Sequence, residues 1–173
     1  MKRLTTIFFA LLLTFAAATT APAASRDSKS KSKVEKFVQR LARDYSSHVE
    51  YSYISMSMLK SLFAIGFGEG DKEVAKALKK LKYIRQYSSS DSEGYKKLKK
   101  ELQPFLSNDE EVMDMELVAA NKENQTQTTT YSSKDGLLII TDESDTTLTV
   151  VFIAGLSMDI FNTLLEKGMD FEF

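Results

Sequence analysis

The apolar positions of this chain change their period several times, and each change marks an element. Val34, Phe37, Val38, Leu41 and Ala42 recur at three- and four-residue steps, which predicts a helix from about Lys33 to Tyr45. In VEYSYI (49–54) the period drops to two, with Val49, Tyr51 and Tyr53 on one face and Glu50 and Ser52 on the other. That pattern predicts a strand. Helical spacing returns with Met58, Leu59, Leu62 and Phe63, and again with Val74, Ala75, Leu78 and Leu81, predicting helices over about 56–65 and 72–80. KYIRQYS (82–88) reads as a second strand with Tyr83, Arg85 and Tyr87 on one face. A helix follows from Glu93 to about Gln103, burying Tyr95, Leu98 and Leu102, and Pro104 is expected to end it.

The second half is rich in strand patterns. Met113, Met115 and Leu117 alternate with Asp114 and Glu116, which predicts one strand. The Thr-rich NQTQTTTY (124–131) predicts a polar, exposed one. Asp135-Gly136 is a hairpin turn signal. LLIIT (137–141) is apolar throughout, so it is expected at the centre of the sheet, and TLTVVFI (147–153) pairs back beside it. A last helix follows Ser157, with Ile160, Phe161, Leu164 and Leu165 inside and Gly168 as its C-cap. The expected fold is α+β: a single, largely antiparallel (mixed) sheet of about six strands, with helices packed mainly on one face. Residues 33–173 form one domain in this reading.

The N-terminus has a different character. Met1-Lys2-Arg3 is basic, Leu4 to Phe15 is apolar, and small residues lead to Ala21-Pro22-Ala23. These are the three regions of a signal peptide over 1–23, cleaved after Ala23 so that Ala24 leads the exported chain. The apolar run is shorter than the roughly 20 residues that cross a bilayer. No membrane-spanning segment is expected after its removal. Residues 24–32 read as a flexible, polar leader. The chain has no cysteine, which leaves no lipid-attachment residue and no disulfide. The expected location is the periplasm or the outside of the cell.

GFGEGDKE (66–73) raises the question of a phosphate loop. A dinucleotide-binding loop follows a strand, but the residues before Gly66 have helical spacing. The P-loop pattern ends in Lys followed by Ser or Thr, and this stretch does not. Glu69 and Asp71 would also set carboxylates beside a phosphate. A joint between two helices accounts for every residue, with glycine as the C-cap of one and Asp71 as the N-cap of the next. A mobile flap over a cleft is the other use for such a stretch.

Catalytic inventory is thin. His48 is the single histidine, so no multi-histidine metal site can form. There is no thiol nucleophile and no G-x-S-x-G elbow. Carboxylates crowd NDEEVMDME (108–116) and DESD (142–145). Asp114, Glu116, Asp142 and Asp145 would serve acid–base hydrolysis if two of them shared a cleft; solvated strand ends are the simpler use. Tyr51, Tyr53, Tyr83 and Tyr87 fall on two strands that could be neighbours, a face suited either to a core or to binding sugars or a protein. No cofactor is implied.

Charge separates the halves. Residues 26–100 hold 18 basic and 9 acidic side chains, whereas residues 101–173 hold 3 basic and 15 acidic ones. Lys79, Lys80, Lys96, Lys97, Lys99 and Lys100 could face an anionic surface or an acidic envelope protein. Export makes nucleic acid an unsuitable partner.

Four segments, YSYISMSMLKSL (51–62), LKYIRQYSS (81–89), YKKLKKEL (95–102) and LTVVFIAGLSMDIFNTLL (148–165), resemble the bacterial domain of unknown function 4252. The resemblance implies a small exported protein of Gram-negative envelopes and carries no activity or site residues. Many such proteins look lipid-anchored, and this chain lacks the cysteine for that. The function expected is therefore a non-enzymatic binding module of the envelope; the alternative is a small carboxylate-dependent hydrolase acting on envelope or sugar substrates.

Overall fold

The computed structural model describes residues 32–55, 57–58, 76, 79–144 and 146–166, the side chains of residues 42 and 164–166 excepted. The expected signal peptide with Ala21, Ala23 and Ala24, the leader up to residue 31, most of the helices over 56–65 and 72–80, the glycine stretch, Asp145 and Gly168 lie outside the described residues.

The described elements run α1 (Lys33–Asp44), β1 (Val49–Ser55), β2 (Tyr83–Ser89), α2 (Ser92–Leu106), β3 (Glu111–Val112), β4 (Met115–Glu123), β5 (Thr126–Ser133), β6 (Gly136–Glu143), β7 (Thr147–Ala154) and α3 (Met158–Glu166). Every strand pairing is antiparallel, and the seven strands form one sheet in the order β1-β2-β7-β6-β5-β4-β3. The fold is α+β. The strand count is seven rather than six because Met113 and Asp114 form a turn, not the middle of a strand. Both have positive φ, 53° and 65°, as a two-residue hairpin turn requires. Alternation of Met113 with Met115 continues across that turn, which hides it from a period-two reading.

LLII lies in β6, the middle strand. Leu138 and Ile140 point to one face and Leu137 and Ile139 to the other, and all four are buried. Two layers therefore flank the sheet. The larger one packs Val34, Phe37, Val38 and Leu41 of α1 and Tyr95, Leu98, Leu102 and Phe105 of α2 against Leu138, Ile140, Val150 and Phe152. The smaller one joins Ile54, Ile84, Leu137, Ile139 and Ile153 to Leu156 and to Ile160 of α3. Two of the three described helices thus share one face.

Local signals fix the helix ends. Ser32 caps α1 by accepting from the Glu35 amide at 3.2 Å, so the last residue of the expected leader belongs to the start of this helix. Asp91 caps α2 by accepting from the Gly94 amide at 2.6 Å. Pro104 does not end α2: it lies inside the last turn. A proline there forfeits one amide donor, while continuation buries Phe105 completely. Beyond a bulge at Val118, the outer half of β4 carries no buried residue.

Candidate functional site

β1 and β2 pair in the register Tyr51 to Tyr87, Tyr53 to Arg85 and Ser55 to Tyr83. Strand periodicity then puts Tyr51, Tyr53, Tyr83, Arg85 and Tyr87 on one face of the sheet, the face that α1 covers. The two candidate tyrosine strands are indeed neighbours. Ring centroids lie 5.3 Å apart for Tyr51 and Tyr87 and 5.7 Å apart for Tyr53 and Tyr83. Burial is graded across the cluster. Tyr87 is fully buried, Tyr51 and Tyr83 are half-buried, and Tyr53 on the edge strand is 46% exposed. From above, Tyr83 donates its hydroxyl to Glu35 Oε1 of α1 at 2.7 Å.

Arg85 is the centre of this cluster. Its guanidinium carbon lies 4.8 Å from the Tyr83 ring centroid and 5.6 Å from that of Tyr53. Such contacts contribute about 1–2 kcal/mol when partly desolvated. No ion pair among the described residues includes Arg85. Its Nε is buried without a hydrogen-bond partner. The Tyr87 hydroxyl lies against the guanidinium, short of full hydrogen-bonding geometry. Burial works against the Arg85 charge, the surrounding tyrosine oxygens outweigh it, and the pKa stands above its ordinary value. Burial raises the pKa of Tyr51, Tyr83 and Tyr87, assisted at Tyr83 by the Glu35 bond. The cluster therefore holds one fixed cation among neutral aromatic rings.

The Tyr87 hydroxyl is also buried without a partner at hydrogen-bonding geometry, although Arg85 is close enough to oppose the rise in its pKa. A buried orphan hydroxyl costs stability. Tyr87→Phe is expected to raise stability by about 1 kcal/mol in urea unfolding; a lower midpoint would show that the hydroxyl is satisfied in solution.

The lysines are more dispersed. Lys79 and Lys80 are exposed just before β2, and Lys96 and Lys97 lie on α2 beyond its other end. β2 spans about 20 Å, so the two pairs stand at opposite ends of the strand. Lys97 is bound to Glu93 Oε1 at 2.6 Å. Lys99 is committed to Asp142 and Tyr95, and Lys100 is exposed.

Two of the candidate carboxylates, Asp114 and Glu116, share a cleft, and Asp142 lies apart from them. Asp142 is buried near the end of β6, accepting from Tyr95 at 3.0 Å and pairing with Lys99 at 3.2 Å. Asp114 and Glu116 sit at the sheet's opposite end, beside the start of β6. About 20 Å of strand separates them from Asp142. Asp114 pairs with Lys33 at 3.0 Å. With Glu116, Asp135, Asp159 and Lys134 it lines an open cleft of about 910 Å³. Among the described residues, no group of three His, Asp or Glu side chains comes together as a metal site. None of the described helices is long and apolar enough to cross a membrane.

His48 sits against the start of α2, with Nδ1 2.9 Å from Asp91 Oδ2 and Nε2 3.6 Å from Glu93 Oε1. The Gly94 amide, then His48, holds the Asp91 pKa below its ordinary 3.8. Lys97, then His48, lowers that of Glu93. A depressed folded-state pKa stabilises above the unfolded-state value, and that stability is lost as pH falls through the folded-state value. Asp91→Asn is thus expected to melt earlier than the parent at pH 6 and to converge with it at pH 2. Thermal melts followed by circular dichroism check this; a constant offset across that range would contradict it.

Sequence reasoning placed the four tyrosines but passed over Arg85, noting it only as a polar member of a strand face. The signal was Tyr-x-Arg-x-Tyr opposite Tyr-x-Tyr, which is visible only once the two strands are paired.

A small α+β sheet protein with an aromatic, singly charged cluster near one edge is the class that this geometry defines. A family model described as Domain of unknown function (DUF4252) matches residues 44–162, and the chain belongs to that family. The match includes all four cluster tyrosines and Arg85. No curated protein and no solved structure matches the chain.

Proposed function

We propose that this protein is an exported binding module of the bacterial envelope, which holds a partner at the Tyr51, Tyr53, Tyr83, Arg85 and Tyr87 cluster rather than catalysing a reaction. One observation carries the reading: a half-buried arginine is surrounded by tyrosines and has no carboxylate partner among the described residues. A fold gains little from burying a lone charge, whereas binding gains from arginine and tyrosine anchors. Export rests on the pattern of residues 1–23. Asp114 and Glu116 share the open cleft but are exposed there, Asp114 is paired with Lys33, and Asp142 is committed to Tyr95 and Lys99, which favours binding over carboxylate-dependent hydrolysis.

The test is a photocrosslinking phenylalanine analogue at Tyr53, the most exposed ring, in cells that export the protein. The expected result is one discrete crosslinked envelope component, lost when Arg85→Lys is introduced on the same chain. Crosslinks that persist in that variant, or none at Tyr53 with the protein exported and folded, would end the proposal.

A further inference from the structure

The chemistry of the same cluster narrows what it binds, and this step rests on the binding reading above. We infer that Arg85 is a carboxylate-binding site, which takes a single carboxylate end-on at its two terminal nitrogens. Tyr53 and Tyr83 lie side by side along one flank of the guanidinium, their centres 5.6 and 4.8 Å from its carbon and 5.7 Å from each other, and Nε is buried. The terminal nitrogens, unlike Nε, are not among the buried unpartnered atoms and are the donors that a ligand would meet. They form a planar fork of parallel N–H donors, which matches the two oxygens of a carboxylate.

Charge selects among anions. Among the described residues the box holds one cation, and Glu35 is bonded to the Tyr83 hydroxyl at its upper side. A singly charged carboxylate neutralises Arg85. A phosphate dianion would bring a second negative charge beside Glu35, with no further cation of the box among the described residues to meet it. Ligand cations, which aromatic boxes otherwise attract, are excluded because Arg85 already fills that role. The neighbouring rings keep bulk water off one side of the ion pair, which strengthens it relative to an exposed one. The half-exposed Tyr53 ring supplies apolar surface for whatever carries the carboxylate.

The carboxylate belongs either to a free small acid or to an acidic side chain of a partner, and a titration separates them. The intact isotope-labelled chain is titrated with sodium glutarate, with a capped Gly-Glu-Gly-Glu-Gly peptide, and with inorganic phosphate. The Arg85 Nε–H signal and the ring signals of Tyr53 and Tyr83 are followed by NMR. Saturable shifts of these signals with a carboxylate are expected. Arg85→Lys keeps the charge but loses the fork, and should weaken binding about ten-fold or more. Tyr53→Ala, at an edge position, should weaken it while leaving the spectrum of the core unchanged. This variant keeps the test decisive if changes at Arg85 disturb folding. Tighter binding of the peptide assigns the carboxylate to a partner's side chain, and tighter binding of glutarate assigns it to a free acid. Unmoved Arg85 and tyrosine signals, equal shifts with phosphate, or undiminished binding in the Tyr53→Ala and Arg85→Lys chains would overturn the assignment. An Arg85-dependent crosslink at Tyr53 without carboxylate binding would remove the ligand class and leave the binding role. Carboxylate binding without any envelope crosslink would do the reverse.

Discussion

Gly94→Ala is expected to destabilise this protein by about 3 kcal/mol or more, the upper end of the cost of overpacking. A Cβ at Gly94 would lie 2.0 Å from the His48 carbonyl oxygen and 3.0 Å from its carbonyl carbon. Both atoms are backbone, so no rotamer change relieves the overlap. The same carbonyl accepts from the Ser90 amide at 3.1 Å. Moving it would therefore break the link between the approach to β1 and the exit from β2. The first turn of α2 would have to withdraw, taking the Asp91 cap with it. Urea unfolding reads the effect as a fall in midpoint. A change below about 1 kcal/mol would show that the helix start and the His48 segment separate freely in solution.

Phe105→Ala is expected to cost about 3–5 kcal/mol, as large aromatic truncations in cores do. Phe105 is fully buried where three elements meet. Its ring lies 5.8 Å from Phe37 of α1 and stands edge-on to Tyr131 of β5 at 5.1 Å. Tyr131 in turn donates its hydroxyl towards the Phe105 and Asp109 carbonyls at 3.1 and 2.9 Å. Removing the ring opens a cavity between both helices and the sheet and frees Tyr131 to shift. Tyr131→Phe keeps the ring stack and removes only the hydroxyl, so its loss should be smaller, about 1–3 kcal/mol. Reversal of that order in urea midpoints would contradict the packing argument.

Much of the fold was legible because period-two and period-3.6 patterns are local. The strand at Val49 to Ser55, the helix face Val34, Phe37, Val38 and Leu41, and the central place of LLII all follow from spacing alone. Turns were harder. Asp135-Gly136 marked a real hairpin, yet the turn residues are Lys134 and Asp135. Gly136 starts β6, where a Cβ would meet the Ile153 carbonyl at 2.5 Å. Met113-Asp114 turns the chain with positive φ and no glycine, so it carries no turn signature. Pro104 misled because burial of Phe105 outweighs the lost amide. The site was half legible. Its tyrosines announced themselves by alternation, but Arg85 has the same spacing as any solvated strand residue. Only its placement among four rings gives it meaning.

Pairing of β2 with β7 joins distant parts of the chain: Ser88 and Thr149, whose hydroxyls meet at 3.0 Å, are 61 residues apart. Until residues 147–154 arrive, β1 and β2 form a two-stranded ribbon with an unpaired inner edge. Such a ribbon is marginal by itself. Closing so long a loop makes its formation slow relative to the local β4–β5–β6–β7 meander. The tyrosine-lined face is therefore expected to form late in folding. A chain emerging N-terminus first presents Tyr51 to Tyr87 long before the seventh strand arrives to close the sheet beside them.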